Sequence, residues 1–352
     1  MFRNLSTGIR WLLWPFAWLY GLGVGVRNWL FDKDLSASQK SPIDTINVGN
    51  LTIGGTGKTP HIEYLIRLLS NRFSVAVLSR GYGRATRGFV KADSGANAQI
   101  LGDEPLQLYR KFEGKIPVYV AEKRVEGLHK IKENDKNVQI VLLDDAFQHR
   151  LLKPDVNILL TDYGRLFFKD FLLPVGLLRE HRRGARRADA VVVTKCPKPI
   201  SEKEKQNIQS HIWRYTLRQV PVFFSTFRYG SPTAYFGGLP VLKTKSTCWL
   251  VSGIAQPKHF EAAAKAHYQV AGHLIFKDHH VFGEKDIEQL VEKTQGFPIL
   301  TTEKDFVKLK PLLHTLQNMT LPIYYWPVEV VFDDTGFDDF VVSKVTAQKL
   351  NM

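Results

Sequence analysis

The chain has 352 residues, enough for two domains of ordinary size, and 44% of them are hydrophobic, enough to build their cores. A formal net charge of +14 points to an anionic partner, whether nucleic acid, an anionic membrane surface or a phosphorylated substrate. Cys196 and Cys248 are the only cysteines, which excludes a disulfide framework and a cysteine metal centre and fits reduced thiols in a cytosolic protein.

The chain opens on an apolar element. No charged residue occurs from Trp11 to Val26, and Arg3, Arg10, Arg27 and Lys33 flank the run. As a straight helix it would extend about 24 Å, short of the roughly 30 Å hydrocarbon core of a bilayer. Pro15, Gly21, Gly23 and Gly25 argue against an uninterrupted span. Trp11, Trp14, Trp18 and Trp29 favour the membrane interface, and the basic flanks suit lipid headgroups. Residues 1–35 are therefore read as a monotopic, membrane-associated segment. A spanning helix and a helix packed in the core are the alternatives. A cleaved signal peptide fits poorly, because Arg27, Asp32, Lys33 and Asp34 separate the apolar run from the weak site Ser36-Ala37-Ser38.

Next comes a short apolar strand, Ile43 to Val48. It runs into a glycine-rich turn, and apolar residues at helical spacing follow from His61 to Leu69. Strand, glycine turn and helix in that order form a phosphate cradle: glycines let backbone N–H groups reach phosphate oxygens, and the helix N-terminus favours anions. The turn comprises Thr52, Ile53, Gly54, Gly55, Thr56, Gly57, Lys58 and Thr59. Lys58 suits the β- and γ-phosphates, and the Thr59 hydroxyl suits Mg²⁺. Thr52 stands where the general P-loop pattern has glycine, so the match is incomplete. A ligand-free glycine turn is the bland alternative.

A strand over Ser74–Leu78 leads into the basic turn Ser79-Arg80-Gly81-Tyr82-Gly83-Arg84. Gly102-Asp103-Glu104-Pro105 opens a helical pattern, where an acidic pair and a proline also read simply as first-turn residues. Val118–Val120 is a strand leading to Glu122-Lys123-Arg124. Val138–Leu143 is a continuous apolar strand ending in Asp144-Asp145, where open α/β sheets bind ligands and P-loop enzymes hold Mg²⁺. Strands follow at Val156–Leu160 and Ala190–Val193. Between them, Phe167, Phe168, Phe171 and Leu172 precede Arg179, Arg182, Arg183, Arg186 and Arg187. Such apolar anchors beside a basic cluster suit an anionic membrane or an acylated, phosphorylated substrate. Base-stacking aromatics are not interleaved with these arginines, so no nucleic-acid partner is expected.

Arg218-Gln219-Val220-Pro221 reads as a linker, which divides the chain into domains at 36–218 and 219–352. Beyond it, strands at Val222–Phe224, Thr247–Val251 and Phe297–Thr302 alternate with helical patterns, again implying a parallel sheet with covering helices. Asp278-His279-His280 is the one histidine-dense spot, better suited to proton handling than to metal binding.

Taken together these segments resemble one family, tetraacyldisaccharide 4′-kinase. The resemblance is carried by Trp14-Pro15, Leu19-Tyr20-Gly21, Val48 to Pro60, Ser79 to Arg84, Gly102 to Pro105, Leu143-Asp144-Asp145 with Phe147-Gln148-His149, Leu173 to Glu180, Thr194-Lys195, Asp278-His279 and Thr302 to Asp305. They stand in family order across nearly the whole chain, and Thr52 keeps to the family's variant of the loop. The resemblance implies an α/β fold: a P-loop domain with a parallel sheet and helices on both faces, a smaller α/β domain, and an N-terminal membrane-associated helix. It implies transfer of the ATP γ-phosphoryl group to the 4′-hydroxyl of a lipid A disaccharide precursor at the cytoplasmic face of the inner membrane, with ATP and Mg²⁺ as cofactors, and leaves the oligomeric state open. Asp103 and His279 match the catalytic pair, with Lys58 on the phosphates. Thr59, Glu104, Asp144 and Asp145 are the metal candidates, and Arg124, His149, Arg179 and Glu180 match positions near the substrate. A membrane-recruiting ATPase switch, a nucleic-acid ATPase and a nucleoside kinase are the rival functions, and each leaves some of these residues without a purpose.

Overall fold

The computed structural model describes residues 7–235, 239–315 and 321–350. Arg3 lies outside them. Two sheets organise the chain. The first has nine strands in the spatial order Val328–Phe332, Val222–Tyr229, Ala190–Thr194, Val156–Asp162, Asp44–Asn50, Ile140–Asp144, Val75–Ser79, Val118–Val120, Val90–Lys91. The seven inner strands run parallel and only the two edge strands are antiparallel. Both faces are covered, as the continuous apolar runs require. Ile140 and Leu142 pack with helix Lys58–Leu69 on one face, whereas Val141 and Leu143 pack with helix Arg124–Asn134 on the other. The second sheet has five strands, ordered Thr233–Ala234, Ile323–Trp326, Ile299–Thr302, Thr247–Ser252, Gln269–Ile275, and all but the first are parallel.

Sheet membership differs from the division expected at residue 218. Strand Val222–Tyr229 lies beyond that point yet pairs with Ala190–Thr194, so the first sheet continues through it. Strand Val328–Phe332 and helix Gly336–Leu350 then return to the first sheet, where Phe337, Val341 and Val345 join its core. The apolar segment at Phe167–Leu178 also differs from expectation. Phe167, Phe168 and Leu178 are buried against Ile208 and Ile212 of helix Glu202–Trp213, and only Phe171 stands substantially exposed. The segment is core because it shares a sheet face with that helix, packing with Leu159, Val191 and Val193.

The N-terminal element is one continuous helix, Thr7–Asp32, despite Pro15 and the glycines. Pro15 forfeits only the bond to the Trp11 carbonyl, and bare Gly21 lies close against Leu172. Among the described residues no helix is long and apolar enough to cross a membrane. Trp11, Leu12, Phe16 and Trp18 are exposed. The later turns are docked: Tyr20 Oη donates to the Arg179 carbonyl (2.7 Å), Asn28 Nδ2 to Glu180 (2.9 Å), and Arg150 Nη2 to Asp32 (2.7 Å).

Candidate active site

Strand Asp44–Asn50 is central in the first sheet, and at its carboxyl end the chain turns through residues 51–57 into helix Lys58–Leu69. Gly54 and Gly57 take φ of 114° and 88°, which favours glycine, and a Cβ on Gly57 would come within 2.5 Å of the Phe227 ring. The loop is braced from outside. Asn50 Nδ2 donates to Thr56 Oγ1 (2.8 Å), the Ile53 N–H to the Leu177 carbonyl (2.7 Å), and Thr194 Oγ1 to the Thr56 carbonyl (2.9 Å). Lys195 donates to the Gly55 carbonyl and to Asp162 (2.8 Å). Ile53 to Thr59 line a cleft of about 1270 Å³. Thr52 does not line it; it is buried and its backbone bridges Leu178.

Register brings the acidic strand end beside this loop. Val48 pairs with Asp144, and Leu78 with Leu143, so Ser79 Oγ donates to Asp144 (3.1 Å). Asp144 is 2% exposed, and its Oδ1 has no hydrogen-bond partner among the described residues. Burial, then Glu104 and Asp145, pushes its pKa up to about 7. Asp145 moves the other way. Burial opposes its ionisation, but Lys58 at 3.6 Å and Arg179 at 2.9 Å outweigh burial and hold it below the usual carboxylate range. Among the described residues no cluster of three His, Cys, Asp or Glu side chains has metal-holding geometry.

Asp103 and His279 are 176 residues apart in sequence, yet His279 Nδ1 lies 3.3 Å from Asp103 Oδ2. Asp103 begins helix Asp103–Lys111, while His279 sits at φ 59° in the turn after strand Gln269–Ile275 of the second sheet. Lys304 Nζ reaches His279 Nε2 (3.3 Å), and Lys308 lies 3.8 Å from Asp103. Burial works against the Asp103 carboxylate, but His279, Lys308 and Lys304 outweigh it and lower its pKa. His279 and Glu104 line the same cleft as the phosphate cradle.

Four further residues expected near the substrate all line that cleft. Arg124 is buried; its Nη1 donates to the Ala121 carbonyl (2.6 Å) and its Nη2, more weakly, to that of Asp144 (3.4 Å), while its Nε has no partner among the described residues. His149 is held neutral, its pKa lowered to about 4 by burial and then by Arg124, Arg27 and Arg80, and its Nε2 has no partner among the described residues. Glu180 is 1% exposed and fully engaged, accepting from Asn28, Gln148 (2.9 Å) and Arg187 (2.7 Å). Arg179 is the one that faces the cradle, through Asp145.

Sequence reasoning quoted Lys195 and Lys304 within the family's motifs but gave them no role, and it missed Lys308 and the tie made by His61. Lys195 ends an apolar strand at its carboxyl end, the same signal that singled out Asp144. His61, where an apolar residue was expected, is buried and neutral, its pKa lowered to about 4 by burial. Its ring nitrogens meet the Gly57 carbonyl (2.7 Å) and Ser225 (3.1 Å), tying the cradle helix to a neighbouring strand. A Ser252–His273–Glu261 chain, with separations of 2.8 and 3.2 Å, has the shape of a hydrolase triad. Ser252 is fully buried and outside the cleft, so it presents no nucleophile.

A glycine cradle with its lysine, a carboxylate pair at the next strand end and an Asp–His pair whose histidine lines the same cleft define a P-loop phosphotransferase. A model of the family described as tetraacyldisaccharide-1-P 4′-kinase matches residues 9–346, and the chain belongs to that family. The tetraacyldisaccharide 4′-kinase of Flavobacterium psychrophilum is 43% identical, over 97% of this chain and 99% of the relative. That of Flavobacterium johnsoniae is 44% identical, over 92% and 93%. Among solved structures, LpxK from Aquifex aeolicus in complex with ATP is 27% identical, with a TM-score of 0.74 over 96% of this chain and 99% of that one.

Proposed function

We propose that this chain transfers the γ-phosphoryl group of ATP to the 4′-hydroxyl of tetraacyldisaccharide 1-phosphate in lipid A synthesis. The observation that carries the mechanism is that His279 lines the same cleft as the Lys58 cradle, with Asp103 3.3 Å behind its Nδ1. The 4′-oxygen attacks the γ-phosphorus, the bond to the β,γ-bridging oxygen breaks, ADP leaves, and the hydroxyl proton passes to the Asp103–His279 pair. Asp103, kept ionised by the cations around it, orients His279 and the hydroxyl. Lys58 and the loop N–H groups hold the phosphates, and Asp145 aims Lys58. Positioning and charge neutralisation supply most of the rate.

Mg²⁺ fits the residues present. Asp144 is a buried carboxylate with an orphaned oxygen, crowded by Glu104 and Asp145. Asp144, with Thr59, Glu104 and Asp145, would hold the ion together with phosphate oxygens and water. When bound, it would neutralise charge on the phosphates. Arg27, Arg80 and Arg179 offer a cationic wall for the phosphate the substrate already carries, neutral His149 adds a ring nitrogen without a partner among the described residues, and Arg124 and Glu180 shape that wall.

The exposed apolar turns of helix Thr7–Asp32 lead directly to Tyr20, Val24, Arg27 and Asn28 on the cleft wall. An acylated sugar could thus keep its chains at a membrane surface while its head enters the cleft. We read this as peripheral seating on the cytoplasmic face of the inner membrane, where ATP is available. Tandem mass spectrometry of the product tests the reaction: one added phosphate on the non-reducing sugar supports it, and phosphate elsewhere or none contradicts it.

A further inference from the structure

Helices that flank the two sheets meet at a polar seam bordering the cleft, and the Lys111 ammonium sits in it. Lys111 Nζ lies 2.7 Å from Glu63 and 2.6 Å from Glu303. These three residues belong to three different helices. Glu63 is on Lys58–Leu69, which begins with the cradle lysine. Lys111 ends Asp103–Lys111, which begins with the catalytic aspartate. Glu303 begins Glu303–Thr315, which carries Lys304 and Lys308 onto the Asp103–His279 pair. Glu63 is 1% exposed, a buried carboxylate within the cradle helix.

We propose that Glu63, Lys111 and Glu303 form a clamp that fixes the spacing between the phosphate cradle and the Asp103–His279 pair, with Glu63 as a positioning residue for phosphoryl transfer; the assignment rests on the kinase reading above. Several observations support the clamp. Gln107 Nε2 donates to the second Glu63 oxygen (3.2 Å), and Arg67 approaches at 3.9 Å, so the carboxylate is held from two helices. Arg110 Nη1 donates to the Val307 carbonyl (3.1 Å), a second tie across the same seam. Glu63, Gln107 and Glu303 all line the cleft. Burial pushes the Glu63 pKa up to about 7 despite Lys111, so the carboxylate depends on its partner to stay charged. A group tying three functional helices acts on geometry, and a misplacement of about 1 Å can cost up to about a hundredfold in rate.

The test uses the full chain with MgATP and the tetraacyl disaccharide 1-phosphate in detergent, comparing Glu63→Gln, Lys111→Met and the double variant, with Lys115→Met as an exposed-pair control. The clamp predicts that kcat per folded enzyme falls about tenfold or more in both single variants, with KM for ATP little changed. The double variant should be no worse than the worse single, because the two residues act as one unit. Full kcat in the single variants, once corrected for folded fraction, overturns the clamp, as does a loss in the double that is the product of the two. Hydrogen–deuterium exchange of residues 103–111 and 303–315 needs no turnover. Faster exchange in both variants, with the central strands unaffected, supports the clamp, and unchanged exchange overturns it. Wild-type chain that forms no phosphorylated lipid would sink the kinase reading alone, and exchange would still decide the clamp.

Discussion

Asp144 lines the cleft and Asp103 stands behind the His279 that does, yet their surroundings push the two carboxylates in opposite directions. Asp103 has His279, Lys308 and Lys304 around it and is held ionised. Asp144 is enclosed with Glu104 and Asp145, and its pKa is raised to about 7. The folded chain therefore holds more protons at Asp144 than the unfolded chain between about pH 4 and 7, so this group increasingly costs stability as pH rises through that window. Asp144→Asn should raise Tm at pH 8 by roughly 3 °C or more without nucleotide, with the gain shrinking toward pH 5. It should also lower phosphoryl transfer. An unchanged Tm at pH 8, read by differential scanning fluorimetry, would show that the carboxylate is not strained by its neighbours. Asp103→Ala should instead lower kcat by about 10²–10³-fold, since a positioned proton acceptor is lost. ATP affinity, read by calorimetry, should be nearly unchanged, and an equal loss of both would make Asp103 a metal or structural group. The types and places of Lys58, Asp144 and Asp145 were legible because strand ends and glycine turns leave local signals. The meeting of Asp103 with His279 was not, since no local pattern joins residues on different sheets; only the family resemblance paired them.

Two elements wall the cleft, the cradle loop and helix Thr7–Asp32. The cradle loop depends on Gly57, whose φ of 88° and closeness to Phe227 leave no room for a side chain. Gly57→Ala should weaken ATP binding by about tenfold or more, because both strain and a clash must be relieved. Calorimetry showing wild-type affinity would contradict a preformed cradle. Helix Thr7–Asp32 exposes apolar side chains along its length, most of all at Trp11, Leu12, Phe16 and Trp18, and its later turns also dock on the cleft wall through Tyr20 and Asn28. Changing Trp11, Leu12, Phe16 and Trp18 together to Ser should cut vesicle binding by about tenfold or more and leave turnover on detergent-dispersed substrate largely intact. Vesicle sedimentation equal to wild type would remove the membrane role of those side chains. The docking of its later turns could not be read from the sequence, because Tyr20, Arg27 and Asn28 reach partners more than a hundred residues away. The opposite error arose at Phe167 and Phe168, whose neighbouring arginines made a core segment look like a membrane patch. Arg182 and Arg187 are in fact engaged with the Asp170 carbonyl and with Glu180.

At the scale of the whole molecule, the alternation of apolar strands and helical patterns was enough to read two α/β units. The return of Val328–Phe332 to the first sheet was hidden, because sheet pairing at long sequence separation leaves no periodic trace. That return makes the linker at residue 218 a poor boundary and brings the second sheet's His279 and Lys304 over the first sheet's cradle. The net charge of +14 then acts on the assembled surface. Binding to vesicles containing anionic lipid should weaken as salt rises, whereas binding to neutral vesicles should change little. Equal salt response on both would assign the interaction to apolar burial alone. The central claim is that the cradle and the Asp103–His279 pair serve one transfer to lipid. Its most direct test is transfer of label from γ-labelled ATP to purified tetraacyl disaccharide 1-phosphate by wild type, Lys58→Ala and Asp103→Ala. Labelled lipid from wild type and almost none from either folded variant is the predicted result; ATP hydrolysis without labelled lipid, or full transfer by Asp103→Ala, would contradict it.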